Sequence, residues 1–532
     1  LRILTFRRGL KIEAWFSFQL CGAGECGRPR LCFYEGTTLA RSQCDKNTRL
    51  TKEKCNSYHP QAFFLIKLRN SCENWLPPFF QFHWFWYSKG LSETTRSQAG
   101  LDQILQTPKV DESPRLIKLN MGNRQVAVTG FGINSALGNG IDVNTEALKA
   151  GKSGIISTRP DWVEHKFKSQ VAGNISTEGL EALFDRKVCR FLGEPALLAA
   201  AAMKDAIAHA GLTDEQVQSP ETGIIVGTGA GASITDVYFM CQRLDKRGAA
   251  KVGAYHVPLI MGSSLSANLG SIFQIHGHSY TITSACATSA HAIMLGLDTI
   301  RSGRQKCVFV GGSEDVNIYA AGSFDGMNAL SSAFNDDPTR ASRPLDKARD
   351  GFVFSGGAGI LVLEELESAK ARGATIYAVV AGAAASCDGD QMVVPNGVGA
   401  QQAMTEALKD AGLQASDIDY LNLHGTSTPV GDTSELRGVM NVFGEDVPPF
   451  SSTKSMTGHA LGAAGSQEAI FTILMMQHGF IAPNINLEDP DEMVGDLPVV
   501  KTTQEADIKY AISNSFGFGG TNCSLIFAKE SI

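Results

Sequence analysis

The chain has 532 residues, a formal net charge of −7 and 43% hydrophobic residues. That length allows more than one ordinary domain. The acidic balance argues against a nucleic-acid partner, which asks for a basic face, and no apolar run reaches the roughly 20 residues of a membrane span.

The charge is unevenly placed, with 18 Lys+Arg against 10 Asp+Glu in residues 1–120 and 29 against 44 in residues 121–532. In the first segment no apolar period of 3.6 or 2 residues is sustained, and the aromatic cluster Trp75–Tyr87 is broken by Pro77, Pro78, Gln81 and His83. Cys21, Cys26, Cys32, Cys44, Cys55 and Cys72 lack paired CxxC spacing, and no secretory apolar region opens the chain. Clean patterning starts only after Met121. The expectation is that residues 1–120 are upstream translation or a leader, with no domain assigned, and that the working protein begins at Met121.

From there short apolar strands alternate with helical stretches, the pattern of an α/β chain. Gln125–Gly130 reads as a strand ending at a glycine turn, and Ile224–Gly227 as another. Between them Pro195–Ala210 reads as a helix closed by Gly211, in the position favoured just past a helix end. Tyr280–Ser284 is a strand leading through Ala285-Cys286-Ala287 into a helical run to Ile300. Cys307–Val310, Gly359–Leu363 and Ile376–Val380 are strand-like, and the helical stretch Glu364–Arg372 marks a divide near residue 370. Gln401–Ala411 is helical and stops at Gly412, and Asp419–Leu423 is a strand. Phe450–Lys454 leads through Gly458–Gly462 into a helix from Gly465 to Met476, and Ala511–Ser513 and Cys523–Phe527 flank a glycine-dense turn. One unit of strand, small-residue turn and helix thus recurs around Cys286 and around His459. The expected organisation is 121–370 as a half with the nucleophile and 371–532 as a half with two histidines, their helix starts sharing a centre.

Cys286 sits at a strand-to-helix turn, where unpaired N–H groups and the positive end of the helix favour thiolate; such sites lower a Cys pKa from about 8.5 into the range of roughly 3.5–7.5. Its neighbours Ala285, Ala287, Ser289 and Ala290 leave room for a carbonyl. A buried structural cysteine is the competing reading. His424 ends a strand and opens Gly425-Thr426-Ser427-Thr428, and His459 lies between Gly458 and Gly462; a neutral imidazole in either place can donate to a developing oxyanion or accept a proton. Each on its own is equally well a core histidine. Lys454 and Glu468 flank His459 and would be surface charges without context. The tail Ser513–Asn522 offers backbone N–H groups for an anion, but lacks the strand–GxGxxG–helix setting of a dinucleotide site. Gly227-Thr228-Gly229-Ala230-Gly231 has no acidic partner at the expected distance either.

Taken together, Thr283–Ser289 around Cys286, His424–Thr428, Lys454–His459 and Asn514–Asn522 resemble the β-ketoacyl-[acyl-carrier-protein] synthases, in order and spacing, over about residues 124–528. The resemblance implies a thiolase-like fold of two duplicated α/β halves in a five-layer αβαβα arrangement. It implies a homodimer that works with acyl carrier protein, needs no cofactor or metal, touches neither nucleic acid nor membrane, and resides in the cytoplasm, or in an organelle if residues 1–120 are a leader. The implied chemistry is fatty acid elongation: Cys286 takes an acyl group as a thioester, malonyl-carrier protein loses CO₂, and its carbanion attacks. His424 and His459 would stabilise the enolate, and Lys454 would hold His424 and Glu468 in place. The N–H groups of Cys286 and Phe518 would form the oxyanion hole, with Phe518 also a gate. Thr426 and Thr428 would bind the phosphopantetheine arm carried by the substrate, with Phe516 beside it. Ala230 would lie in the turn lining the acyl pocket, where a small residue resembles the type I enzymes more than type II.

The alternatives are a ketosynthase of a specialised polyketide or lipid cluster, and a non-catalytic ketosynthase-like subunit. A thiolase would want a second cysteine near the C-terminal glycine turn, where this chain has Phe516 and Phe518. A non-catalytic subunit would lose the nucleophile, and Cys286 is present.

Overall fold

The computed structural model describes residues 124–530 apart from 158, 159 and 232, together with the backbone of four short N-terminal strands. The chain divides into two units, Leu1–Pro114 and Arg115–Ile532. In the first, Arg2–Arg7 pairs antiparallel with Leu10–Trp15, and Ser17–Leu20 with Leu31–Tyr34, although the sequence sustains no two-residue period there. Cys21, Cys26, Cys44, Cys55, Cys72, the cluster Trp75–Tyr87 and Met121 lie outside the described residues.

Ten strands carry the second unit. In the first half these are β1 (Val126–Ser135), β2 (Thr222–Gly227), β3 (Ser279–Ile282), β4 (Cys307–Glu314) and β5 (Gly357–Glu365). In the second they are β6 (Ala378–Cys387), β7 (Tyr420–Asn422), β8 (Phe450–Ser451), β9 (Tyr510–Gly517) and β10 (Thr521–Ala528). They run β3-β2-β4-β5-β1-β6-β10-β9-β7-β8 in an eleven-stranded sheet, to which Gly138–Asn139 adds a short strand beside β1. Counted outward from the β1–β6 joint, both arms make the same moves. In each, the first strand is antiparallel to the fifth and the fifth to the fourth, while the fourth, second and third are mutually parallel. The fold is therefore a duplication.

The duplication extends to single residues. Register slips at Val362/Leu363 where β5 meets β1, and at Val380/Gly382 where β6 meets β10, so both first strands bulge at the same place. Beside each bulge a glycine lets a helix lie against the strand. A Cβ on Gly130 would come 2.7 Å from the Ala210 nitrogen at the end of one helix, and one on Gly382 would come 2.6 Å from the Ala411 nitrogen at the end of another.

Five helices complete the layers: α1 (Glu194–Ala210), α2 (Thr288–Arg301), α3 (Val398–Ala411), α4 (Pro429–Phe443) and α5 (Ala464–His478). Helix α1 covers β1, β4 and β5, and α3 covers β6, β9 and β10, with α4 beside it. Helices α2 and α5 pack on each other and touch strands of both halves. With the two arms of the one sheet counted as separate layers, the order is helix, arm, helix, arm, helix, which is the five-layer αβαβα arrangement. The middle layer explains the composition of α5, which is buried from Ala464 to Met476 and so carries apolar residues on every side, while its Ser466, Gln467 and Glu468 find hydrogen-bond partners in the interior. Ile470, Phe471 and Ile473 are fully enclosed there, each burial being worth about 1.5–3 kcal/mol. Helices α1 and α3 end at Gly211 and Gly412 in the left-handed region, with φ of 61° and 70°, as the sequence suggested. The helix Leu366–Ala371 lies between β5 and β6, and Glu364 belongs to β5 rather than to that helix. Among the described residues no helix is long and apolar enough to cross a membrane.

Candidate active site

The first component is the turn between β3 and α2. Ala285 holds a φ of 49°, a strained region for a residue with a Cβ, and this swings Cys286 out just ahead of the helix. The turn is braced from inside: the Ser284 N–H donates to Thr288 Oγ1 at 2.8 Å, and that hydroxyl donates to the Ala285 carbonyl at 2.7 Å. It is also approached from the other half. A Cβ on Gly517, at the end of β9, would sit 3.0 Å from the Cys286 nitrogen. This close passage delivers the next residue, Phe518, whose N–H points at the sulphur, as does that of Cys286 itself.

The expectation of a preformed thiolate is corrected here. Burial pushes the Cys286 thiol up to about 11, and Glu314 adds to the rise; the Phe518 N–H and Lys454 pull it down without reversing it. The site is enclosed enough that losing water outweighs the helix start.

The second component is the loop after β7. His424 lies two residues beyond the strand's last residue, Asn422. The loop holds its shape because two buried carboxylates of α4 collect its N–H groups. Glu435 accepts from His424 at 2.8 Å and Gly425 at 2.7 Å, and Asp432 accepts from Ser427 at 3.1 Å and Thr428 at 3.3 Å. Ser427 adopts a φ of 71° within this grip. Thr426 and Thr428 are joined through their hydroxyls at 3.0 Å.

The third component is the segment after β8. His459 lies between a short helix, Lys454–Thr457, and a 3₁₀ turn, Leu461–Ala463, with α5 beginning at Ala464, one residue before the sequence places its start. Its backbone is docked onto the first half, its N–H donating to the Val353 carbonyl at 2.8 Å and its carbonyl accepting from the Ser355 N–H at 3.0 Å. Lys454 is no surface charge. Its Nζ donates to both Glu468 oxygens, at 2.6 and 2.7 Å, and the two side chains are 1% and 2% exposed. Burial raises the Glu468 carboxyl and Lys454 opposes that rise.

The two imidazoles stand edge to face with centroids 5.2 Å apart. Burial, Lys454 and, for His424, the neighbouring His459 hold both well below the usual histidine value of 6.5. Both rings are therefore neutral at ordinary pH. Both ring nitrogens of His459 and Nδ1 of His424 are buried without a hydrogen-bond partner, so they are available to something that enters.

A cavity of about 420 Å³ joins these parts, lined by Cys286, His424, Thr426, Thr428, His459 and Phe516 as well as Phe518. Lys454 and Glu468 lie behind the lining. Ala230 is not among that cavity's lining residues; its turn abuts the Cys286 turn, where Thr283 Oγ1 donates to the Gly229 carbonyl at 3.0 Å.

Three polar residues went unnoticed in the sequence. Glu435 and Glu314 are isolated acids with no motif around them, buried only by tertiary packing. His291 has no motif of its own either, yet its Nδ1 meets Ser284 Oγ at 2.7 Å and its Nε2 the Asn522 carbonyl at 3.2 Å.

The family models described as Beta-ketoacyl synthase, N-terminal domain, and Beta-ketoacyl synthase, C-terminal domain, match residues 123–369 and 377–488. The chain is 47% identical over 407 residues to 3-oxoacyl-[acyl-carrier-protein] synthase 1 of Haemophilus influenzae, covering 76% of this chain and 99% of that protein. To the enzyme of the same name from Escherichia coli it is 46% identical with the same coverage. A 3-oxoacyl-[acyl-carrier-protein] synthase 2 from Vibrio cholerae is 39% identical over 420 residues, 77% of this chain and 100% of that one. Among solved structures, a Beta-ketoacyl synthase from Burkholderia phymatum superposes with a TM-score of 0.72 at 35% identity, over 76% of this chain and 99% of that one. A type II PKS acyl-carrier protein in complex with its ketosynthase gives 0.67 at 29% identity, with the same coverage.

Proposed function

The chain belongs to the beta-ketoacyl synthase family, and from that premise we propose that it is a β-ketoacyl-[acyl-carrier-protein] synthase of fatty acid elongation, an acyltransferase joining an enzyme-bound acyl group to malonyl-carrier protein. The observation that carries this reading is one cavity in which a thiol, two neutral unpartnered imidazoles and two N–H groups aimed at the sulphur converge.

Each step has a group suited to it. The Cys286 sulphur attacks the acyl thioester carbonyl, and the tetrahedral oxyanion is met by the N–H groups of Cys286 and Phe518. The carrier's phosphopantetheine thiol leaves, taking up the proton that Cys286 gives up, and the acyl group stays on Cys286. Because the free thiol is neutral, that proton must move during attack, and a neutral imidazole can relay it. Malonyl-carrier protein then enters past Thr426 and Thr428. The bond to its carboxylate breaks, CO₂ departs, and the electron pair passes into the thioester carbonyl as an enolate. N–H donors from His424 and His459 stabilise that oxygen better as neutral rings in a dry site than they would in water. The enolate carbon attacks the Cys286 thioester, the C–S bond breaks, and the Cys286 sulphur recovers a proton. Lys454 contributes its field; with both Glu468 oxygens bound, it is a positioning residue. Decarboxylation supplies the driving force, so no resident cofactor is called for.

The Ala230 turn, beside the nucleophile turn, is suited to the far end of an acyl chain. A second copy of the chain fits the outer edge of β3, where Tyr280 is 53% exposed; we read the protein as a homodimer of the cytoplasm. Residues 1–120 lie outside the match to both family models. The activity is tested by incubating the chain with acyl- and malonyl-carrier proteins and following 3-oxoacyl product. Product formation at the normal rate by Cys286→Ala would end the reading.

A further inference from the structure

The mechanism above makes no use of Glu314. This carboxylate ends β4, is 2% exposed, and accepts two backbone N–H groups from different halves of the molecule. One is that of Gly229, at 2.7 Å, and the other that of Gly462, at 3.0 Å, both onto Oε2. The Ala230 N–H also points at it. The surroundings are built for this contact. A Cβ on Gly462 would lie 2.1 Å from the Gly229 nitrogen and 2.8 Å from Glu314 Oε2, and one on Gly312 would lie 2.7 Å from the Gly462 carbonyl oxygen. Only glycines let these segments meet around one carboxylate. Leu461, just before Gly462, takes a φ of 46° and lines the catalytic cavity. On the other side, a Cβ on Gly229 would stand 3.6 Å from the carbonyl of Ala285, the residue before Cys286.

We propose that Glu314 is a positioning residue for the nucleophile: it clamps the Gly229–Ala230 turn to the Gly462 segment beside Cys286, and its negative charge restrains the reactivity of that thiol. The charges acting on Cys286 are those of Lys454, which favours thiolate, and Glu314, which opposes it. Glu314 itself is pushed up to about 8 by burial and by Asp315, against the N–H groups of Gly229, Gly462 and Ala230. Below about 8 Glu314 therefore braces mainly as a neutral acid, and its charge competes with Lys454 at the sulphur once pH rises through that value, in the range where the Cys286 thiol itself begins to ionise.

The inference rests on Cys286 being the nucleophile, and its test is separable from condensation. The full chain, with Glu314→Gln and Glu314→Ala variants, is treated with iodoacetamide over a pH series, and labelling of Cys286 is read by peptide mass spectrometry; acyl loading from acyl-carrier protein is followed in parallel. Glu314→Gln is expected to move the labelling profile to lower pH, with labelling on the order of tenfold faster below the midpoint, one pKa unit being tenfold in thiolate. Glu314→Ala is expected to lose acyl loading, and Glu314→Gln to recover part of it, because an amide oxygen still accepts from Gly229 and Gly462. A Glu314→Gln profile superimposable on the parent's overturns the proposal whatever Glu314→Ala does, since a bracing role alone leaves the thiol's titration unchanged. If Glu314→Ala does not fold, the Glu314→Gln profile decides. A parent that is labelled normally but forms no 3-oxoacyl product sinks the proposed activity and leaves this comparison readable.

Discussion

The two halves repeat one topology down to a bulge and a glycine in corresponding places, yet they put different chemistry at corresponding helix starts. Ahead of α2 the first half presents Cys286 at the cavity wall, partly open, with small residues around it. Ahead of α5 the second half presents Lys454 and His459, 1% and 3% exposed, backed by a helix with no solvent face over most of its length. A nucleophile has to meet an incoming carbonyl, whereas groups that act through charge and hydrogen bonding gain strength from dryness. Duplication supplied two equivalent positions, and differing burial gave them different work.

Breaking the open side should produce the largest effect. Cys286→Ala removes the attacking atom, and condensation should fall by at least about a thousandfold, with no acyl adduct by intact mass spectrometry. On the dry side, His424→Ala and His459→Ala should each lower malonyl decarboxylation by about 10²–10⁴ while acyl adduct still forms. Loss of loading to the same degree as decarboxylation would erase the division of labour. With both rings depressed below 6.5, decarboxylation by the parent should persist at pH 6 and fail only as pH drops through their lowered values. A steep loss centred on 6.5 would contradict that.

The stability consequences are smaller and equally one-sided. Lys454→Met leaves Glu468 buried without its cation, which should cost about 3–5 kcal/mol in urea unfolding; the double variant Lys454→Met, Glu468→Leu should recover much of it. Glu435 offers a pH test. Burial raises its carboxyl from 4.5 to about 7, against the N–H groups of Gly425 and His424. The folded state therefore binds this proton more tightly than the unfolded chain. Its contribution to stability is complete below about 4.5 and is lost as pH rises through about 7. Glu435→Gln should flatten that part of the decline between pH 4.5 and 7, measured by urea midpoints across the range. Phe518→Ala should do least, because the loading step uses its backbone N–H and keeps it. Loading should drop less than about tenfold, with any further change confined to the gate.

Much of this was legible early because the signals are local. The glycines ending α1 and α3, the apolar strands and the small residues around Cys286 are features that backbone sterics and hydrophobic periodicity impose within a few residues of themselves. Four motifs in order were enough to point to the family and its layered fold. Local features also set limits. Strand ends lie beyond where the sequence puts them when pairing with a distant strand extends them, as at β1, β4 and β9.

By itself the sequence determined which residue types stand where: one thiol at a helix start, two histidines near glycine turns, a lysine and an acid close by. Only the tertiary structure decided what those groups are like. Burial turned Lys454 and Glu468 from ordinary charges into an enclosed pair, kept both imidazoles neutral, and raised the Cys286 thiol that its helix start had seemed to lower. Ionisation depends on water removed and charges brought near by segments distant in the chain, and no short stretch of residues carries that information. The same reason hid Glu314, whose N–H partners Gly229 and Gly462 come from both halves, and Glu435, whose partners His424 and Gly425 meet it only when the loop after β7 folds against α4.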